Sequence, residues 1–296
     1  MTAPTEKTLP LGTSDFAALR NSNEIYIDKT ALIYELASVR SKIFISRPRR
    51  FGKSLLVSTF ESLFKNGLRD FSGLKIEKLW KDKTYPVVRL DFSDLKDLPS
   101  AEEFQKSLRS MIATAFAAIG FRYDPADTVS LFLDQFKLWL STLETNSFVL
   151  LIDEYDAPLT ASLDDLELFD RIRSAMSAFF QVLKSNEGCL RFFFMTGITK
   201  YRQTSIFSEF NFFDDISLNR AYGTLIGYTE EEIKNYFSYY LNEAKLQLEL
   251  DEDEIVDQLR KNYDGFSFDQ EAATHVFCPW SVLNFFKEGL SKCQFL

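Results

Sequence analysis

Three adjacent residue types, Gly52-Lys53-Ser54, close the basic stretch Arg47-Pro48-Arg49-Arg50-Phe51. A glycine, an ammonium and a hydroxyl in that order suit a phosphate group. Gly52 lets backbone N–H groups approach phosphate oxygens without a Cβ in the way. Lys53 can reach the β- and γ-phosphates, and the Ser54 hydroxyl can sit on Mg²⁺. Leu55 begins the apolar run that follows. The alternative for this turn is a basic surface loop capping a helix. Arg47 stands where the phosphate-loop consensus has its first glycine. Arg47, Arg49, Arg50, Phe51 and Leu55 join Gly52, Lys53 and Ser54 as candidate nucleotide contacts.

A second group of chemical residues is Asp153-Glu154, at the end of Phe148-Val149-Leu150-Leu151-Ile152. An aspartate there can hold Mg²⁺ through its water shell, and the next carboxylate can orient or deprotonate an attacking water. Asp156 precedes Ala157-Pro158 and is read first as a cap of the next helix. Thr196 ends Leu190-Arg191-Phe192-Phe193-Phe194-Met195. It either contacts the γ-phosphate or the lytic water, or satisfies its own turn.

Elements must bring these groups together. Ile43-Phe44-Ile45, the loop and Leu55-Leu56-Val57 read as strand, tight turn and helix, the layout of a phosphate-binding loop. Successive N–H groups at the helix start make a positive concavity. Five apolar residues before Asp153 read as a central strand buried on both faces, with the acids at its carboxyl end, where α/β sheets bind ligands. Tyr85–Phe92, with Pro86 at its start, is a further strand; Ile216-Ser217-Leu218 is a short fifth candidate. Helical spacing marks Phe104–Ile119, Val129–Leu140 and Phe169–Leu183 as core-facing helices.

Ahead of the first strand, Phe16, Arg20 and Tyr26 either stack on a base or serve as core aromatics. After Gly227 the pattern turns helical. Thr229 and Glu232 form a capping box, and Pro279-Trp280-Ser281 opens a last helix. The expected division is a lead-in over 1–10, a sheet domain over 11–227 and a helical lid over 228–296.

Composition bounds the rest. The chain has 296 residues, formal net charge −9, three cysteines and one histidine, His275. Cys189, Cys278 and Cys293 make neither a disulfide framework nor a zinc spacing. One histidine excludes HExxH sites. The acidic balance speaks against non-specific nucleic-acid binding. Without a long apolar run or a signal core, a cytoplasmic protein off the membrane is expected.

Asp15-Phe16, Tyr26-Ile27-Asp28-Lys29-Thr30, Arg47-Pro48-Arg49-Arg50-Phe51-Gly52-Lys53-Ser54, Asp153-Glu154-Tyr155-Asp156, Thr196-Gly197-Ile198-Thr199-Lys200 and Tyr263-Asp264-Gly265-Phe266 occur in an order that resembles the AAA-ATPase-like proteins. Members of that family often carry a PD-(D/E)XK nuclease-like domain after the ATPase region; no room for one is expected before Leu296. The resemblance implies a P-loop parallel sheet of order 5-1-4-3-2 with a helical lid, ATP and Mg²⁺ as ligands, and phosphate binding by Gly52, Lys53 and Ser54. It also implies Mg²⁺ on Asp153, Glu154 as catalytic base and Thr196 as sensor. An arginine, for which Arg202 and Arg220 are candidates, or one from a second copy or partner protein, completes the expected site. The alternatives are a nucleotide-gated interaction module with little turnover, an ATPase serving a nuclease or DNA-handling partner, and a small-molecule phosphotransferase.

Overall fold

The computed structural model describes residues 7–129, 131–201, 213–263 and 265–288. Five strands form one sheet: β1 (Ser41–Ser46), β2 (Val87–Asp91), β3 (Phe148–Asp153), β4 (Leu190–Gly197) and β5 (Asp214–Asp215). Their order is β2-β3-β4-β1-β5, and every pairing is parallel. Counted from the other edge this is the expected 5-1-4-3-2.

The apolar runs explain the layering. Leu150 and Ile152 of β3 enter one core with Phe193 and Met195 of β4, while Val149, Leu151, Phe192 and Phe194 enter the opposite one. A strand apolar at every position needs cover on both faces. The first core is closed by α4 (Ala101–Ala117), α5 (Phe132–Ser141) and α7 (Leu166–Ser185), with the short α6 (Ala157–Ala161) preceding α7. The second is closed by α1 (Phe16–Asn21), α2 (Thr30–Ala37) and α3 (Lys53–Asn66).

One strand is displaced from its sequence expectation. β5 lies at Asp214–Asp215, just before Ile216-Ser217-Leu218. Ile216 still donates to Phe44 O at 3.0 Å, but pairing stops where Ser217 turns its hydroxyl to accept from Ser46 N at 2.9 Å. Ser217 N and Oγ also donate to Asp215 Oδ1 at 3.0 and 2.6 Å, local side-chain bonds that compete with the ladder.

Beyond Gly227 come α8 (Glu230–Tyr236), α9 (Ser238–Leu248), α10 (Glu252–Tyr263), the hairpin β6 (Phe266–Ser267) and β7 (His275–Val276), and α11 (Pro279–Glu288). The capping box forms: Glu232 N donates to Thr229 Oγ1 at 3.3 Å, and Thr229 N to Glu232 Oε2 at 2.8 Å. These helices have their own core around Ile233, Phe237, Leu259, Val282 and Phe286, and it takes in Ile25 and Ile27 from ahead of β1. Among the described residues no helix is long and apolar enough to cross a membrane. Asp264, Cys293 and the loop residues Arg202, Gln203, Thr204 and Ser205 lie outside the described residues.

Candidate nucleotide site

The loop after β1 is built on two left-handed residues, Arg50 (φ 68°) and Gly52 (φ 97°). Gly52 adopts that conformation at little cost and starts α3 directly. Lys53 is therefore the first helical residue and is buried. Its Nζ donates to Arg47 O at 3.1 Å and Pro48 O at 2.9 Å, inside the curl of the loop. Burial holds its pKa below the usual lysine value, and the charges of Glu154, Asp153 and Asp156 act against that.

β3 delivers the acids, with β4 lying between it and β1. Asp153 is almost fully buried, and its carboxylate accepts from Glu154 N at 3.1 Å. Desolvation raises its pKa, the Asp91 charge adds to the rise, and the Ser54 hydroxyl, Arg89 and Lys53 oppose it. Glu154 turns the chain out of the strand in a left-handed conformation, φ 47°, which a non-glycine residue keeps only where its surroundings hold it. Tyr155 N, donating to Thr196 O at 3.1 Å, is part of that hold. Burial, then the Asp153 and Asp91 charges, raise the Glu154 carboxyl above the ordinary glutamate range.

Asp156 has a further task. Its carboxylate accepts from Ile198 N at 3.1 Å and Thr199 N at 2.7 Å. It pins the chain leaving β4 beside the acids, and at the following helix its side chain makes no capping bond, so the expected cap is replaced by this clasp.

A cavity of about 450 Å³ opens beside the loop, within the size range of small-ligand sites. Arg49, Arg50, Phe51, Gly52, Lys53, Ser54, Leu55 and Glu154 line one end. Leu11–Ser14, Tyr26, Tyr228, Trp280 and Leu283 line the rest. These loop residues and Glu154 thus share a space bounded by the segment ahead of β1 and the C-terminal helices, while Asp153 is buried and does not line it.

Five expected residues are placed elsewhere. Arg47 is buried, and its guanidinium donates to Ser217 O at 2.7 Å and Ser46 O at 2.9 Å and lies 4.1 Å from the Phe268 ring centroid. It braces the loop from outside and lines a different cavity. Phe16 is enclosed between Tyr26 and Phe71, at centroid distances of 5.0 and 4.6 Å, and serves the core. Arg20 bonds Asp70 O and Ser72 O. Thr196 is fully buried and lines neither cavity, and its Oγ1 has no hydrogen-bond partner. Arg220 forms an exposed pair with Glu271.

Sequence reading missed Asp91 and Arg89. Asp91 sits opposite Asp153 in the β2–β3 register, and Arg89 Nη2 lies 3.7 Å from Asp153 Oδ2. Asp91 ends β2 as Asp153 ends β3, but the charged Arg89 interrupts the apolar run that marks β3.

The donor set fits Mg²⁺. The Ser54 hydroxyl and the Asp153 carboxylate are hard oxygen donors, and the buried, unpartnered Thr196 hydroxyl lies on the strand alongside.

The chain is 30% identical over 286 residues, 95% of its length, to an uncharacterized protein encoded in the vnfD 5′ region of Azotobacter chroococcum mcd 1; it spans 52% of that relative. A crystal structure of a DNA replication initiation factor aligns with 88% of this chain and 61% of its own, at 15% identity and a TM-score of 0.34. The AAA-ATPase-like family, described as predicted AAA-ATPases, matches residues 10–207, and the chain belongs to it.

Proposed function

We infer that the protein binds ATP with Mg²⁺ in the 450 Å³ cavity and hydrolyses it. The observation that carries this reading is that Gly52, Lys53, Ser54 and Glu154 line one cavity, with the Lys53 ammonium in the field of Glu154 and Asp153. Groups from β3 and from the β1–α3 loop meet at one point, as a triphosphate requires. Ser54 and Asp153 would hold Mg²⁺, which when bound neutralises phosphate charge. Lys53 exchanges its loop carbonyls for phosphate oxygens. Glu154 lines the cavity, and its raised pKa makes it a stronger base toward water than an ordinary glutamate.

Residues 228–296 act as a lid in this reading. They border the cavity through Tyr228, Trp280 and Leu283, and the cycle would change their seating. An arginine supplied in trans by a second copy or a partner would accelerate the step. The cytoplasm is the setting the reading assigns.

Phosphate release is the test. Wild type with Mg²⁺ should release phosphate, Glu154→Gln should be slower by about 10²-fold or more, and chelation should stop both. Equal rates for wild type and E154Q would remove Glu154 from its role. A second reading, a nucleotide-gated module with little turnover, draws on the Lys53 bonds to Arg47 O and Pro48 O, which hold the loop closed on itself. Tight ATP binding without turnover would favour it.

A further inference from the structure

The C-terminal segment grips the phosphate-binding loop at three successive places. Phe51 is buried edge-on against Phe266 and Phe268, at centroid distances of 4.8 and 5.3 Å. Cys278 Sγ lies 3.8 Å from Arg50 O. The Arg50 guanidinium carbon lies over the Trp280 ring, 4.0 Å from its centroid. The two residues are 230 positions apart in the chain, so this contact is tertiary.

The Arg50 side chain makes no hydrogen bond or ion pair with any described residue. A guanidinium lying over an indole engages it through its own flat face, which leaves the N–H edge available to oxygen. Arg50 and Trp280 both line the cavity that holds Lys53. Trp280 is 45% exposed, a large apolar surface left open at the rim of a polar site. The left-handed φ of Arg50 aims the side chain there at a cost that only neighbouring contacts offset. The other cations of the cavity are differently placed. Lys29 is tied to Glu232, Lys53 sits inside the loop, and Arg49, also on the cavity, lies over no ring among the described residues.

We propose that Arg50 is a further phosphate-binding residue of this chain, and that Trp280 is its positioning residue, holding the guanidinium over the cavity so that its N–H edge meets the β- and γ-phosphates. The assignment rests on the nucleotide reading above and adds a cation supplied in cis from the loop itself. It also gives the start of α11 a task, the presentation of that cation.

The experiment is calorimetric binding of ATP and of AMP, each with Mg²⁺, to wild type, Arg50→Gln, Trp280→Ala and Trp280→Phe. R50Q and W280A should each weaken ATP binding by about tenfold, the size of one charge-assisted contact. W280F keeps an aromatic face and should stay within about threefold of wild type. AMP lacks both phosphates concerned, so its affinity should change by less than about twofold in all three variants. ATP held as tightly by R50Q as by wild type overturns the proposal. So does an AMP loss as large as the ATP loss, because that pattern reports collapse of the loop. If W280A does not fold, R50Q and W280F still decide. Wild type binding no ATP at all would fail the nucleotide reading itself, whereas wild-type binding with unaltered variants fails only the Arg50–Trp280 assignment.

Discussion

Gly197 and Tyr155 are packed so closely that no Cβ fits between them. A methyl on Gly197 would lie 2.7 Å from the Tyr155 ring and 2.6 Å from Asp156 Oδ1. The tyrosine ring is fully buried and its hydroxyl donates to Thr199 O at 2.7 Å, so it has nowhere to retreat. Gly197→Ala should cost about 1–3 kcal/mol through overpacking and should disturb the Asp156 bonds to Ile198 and Thr199. Urea denaturation measures this. A wild-type midpoint for G197A would mean the Tyr155 ring is free to move.

Glu154 should set the acid limb of the pH–rate profile. Its raised pKa means that the base is protonated, and inactive, up to a higher pH than an ordinary glutamate. Activity should therefore climb with pH through a limb lying above about 4.3. Asp91→Asn removes one of the like charges that raise it, so the limb should move toward lower pH. An unmoved limb in D91N would separate Asp91 from Glu154 electrically.

Asp153 should lower the stability of the ligand-free protein. Its folded-state pKa lies above the unfolded value, so the unfolded chain releases this proton first as pH rises. Stability falls between the two pKa values, and the penalty is fully present above the folded-state one. Asp153→Asn should then raise Tm at pH 7 by about 2–4 °C, an advantage shrinking toward pH 4. The same variant should lose Mg²⁺-dependent ATP affinity. Calorimetric melting at the two pH values is the check, and a lower Tm at pH 7 would show that the Arg89 and Ser54 contacts outweigh burial.

Arg47 and Arg50 should behave as opposites. Arg47→Ala removes a buried guanidinium from two backbone carbonyls and the Phe268 face, and should cost about 2–4 kcal/mol of stability. Below its melting range, R47A should bind ATP within about threefold of wild type, since its side chain faces away from the cavity. A large affinity loss in a folded R47A would return it to the phosphate contacts.

The sequence made plain the parts that short-range rules decide. Lys53 and Ser54 follow from strand, glycine and helix in one stretch of chain, and Asp153 and Glu154 follow from a run of apolar residues that ends in acids. The sheet order came by resemblance to the family. Arg47 was misplaced because its partners, Ser217 and Phe268, lie more than 150 residues away, and no local pattern says which way an arginine in a turn will face. Phe16 was ambiguous for a similar reason: an aromatic ahead of a strand suits a base or a core, and Phe71 decided it. Arg89 and Asp91 escaped notice because a five-residue strand with charges at alternate positions reads as a plain solvent-facing edge. The C-terminal grip on the loop left no trace in the sequence, because it is made by side-chain faces that meet only after both units are folded.

Tyr26 is buried with the sheet's second core, while Ile25 and Ile27 on either side belong to the helical one. Three consecutive residues thus fasten two hydrophobic cores, like one thread stitched through two cloths. A shift of one core against the other would draw this thread along, and the cavity wall that Tyr26 forms would go with it.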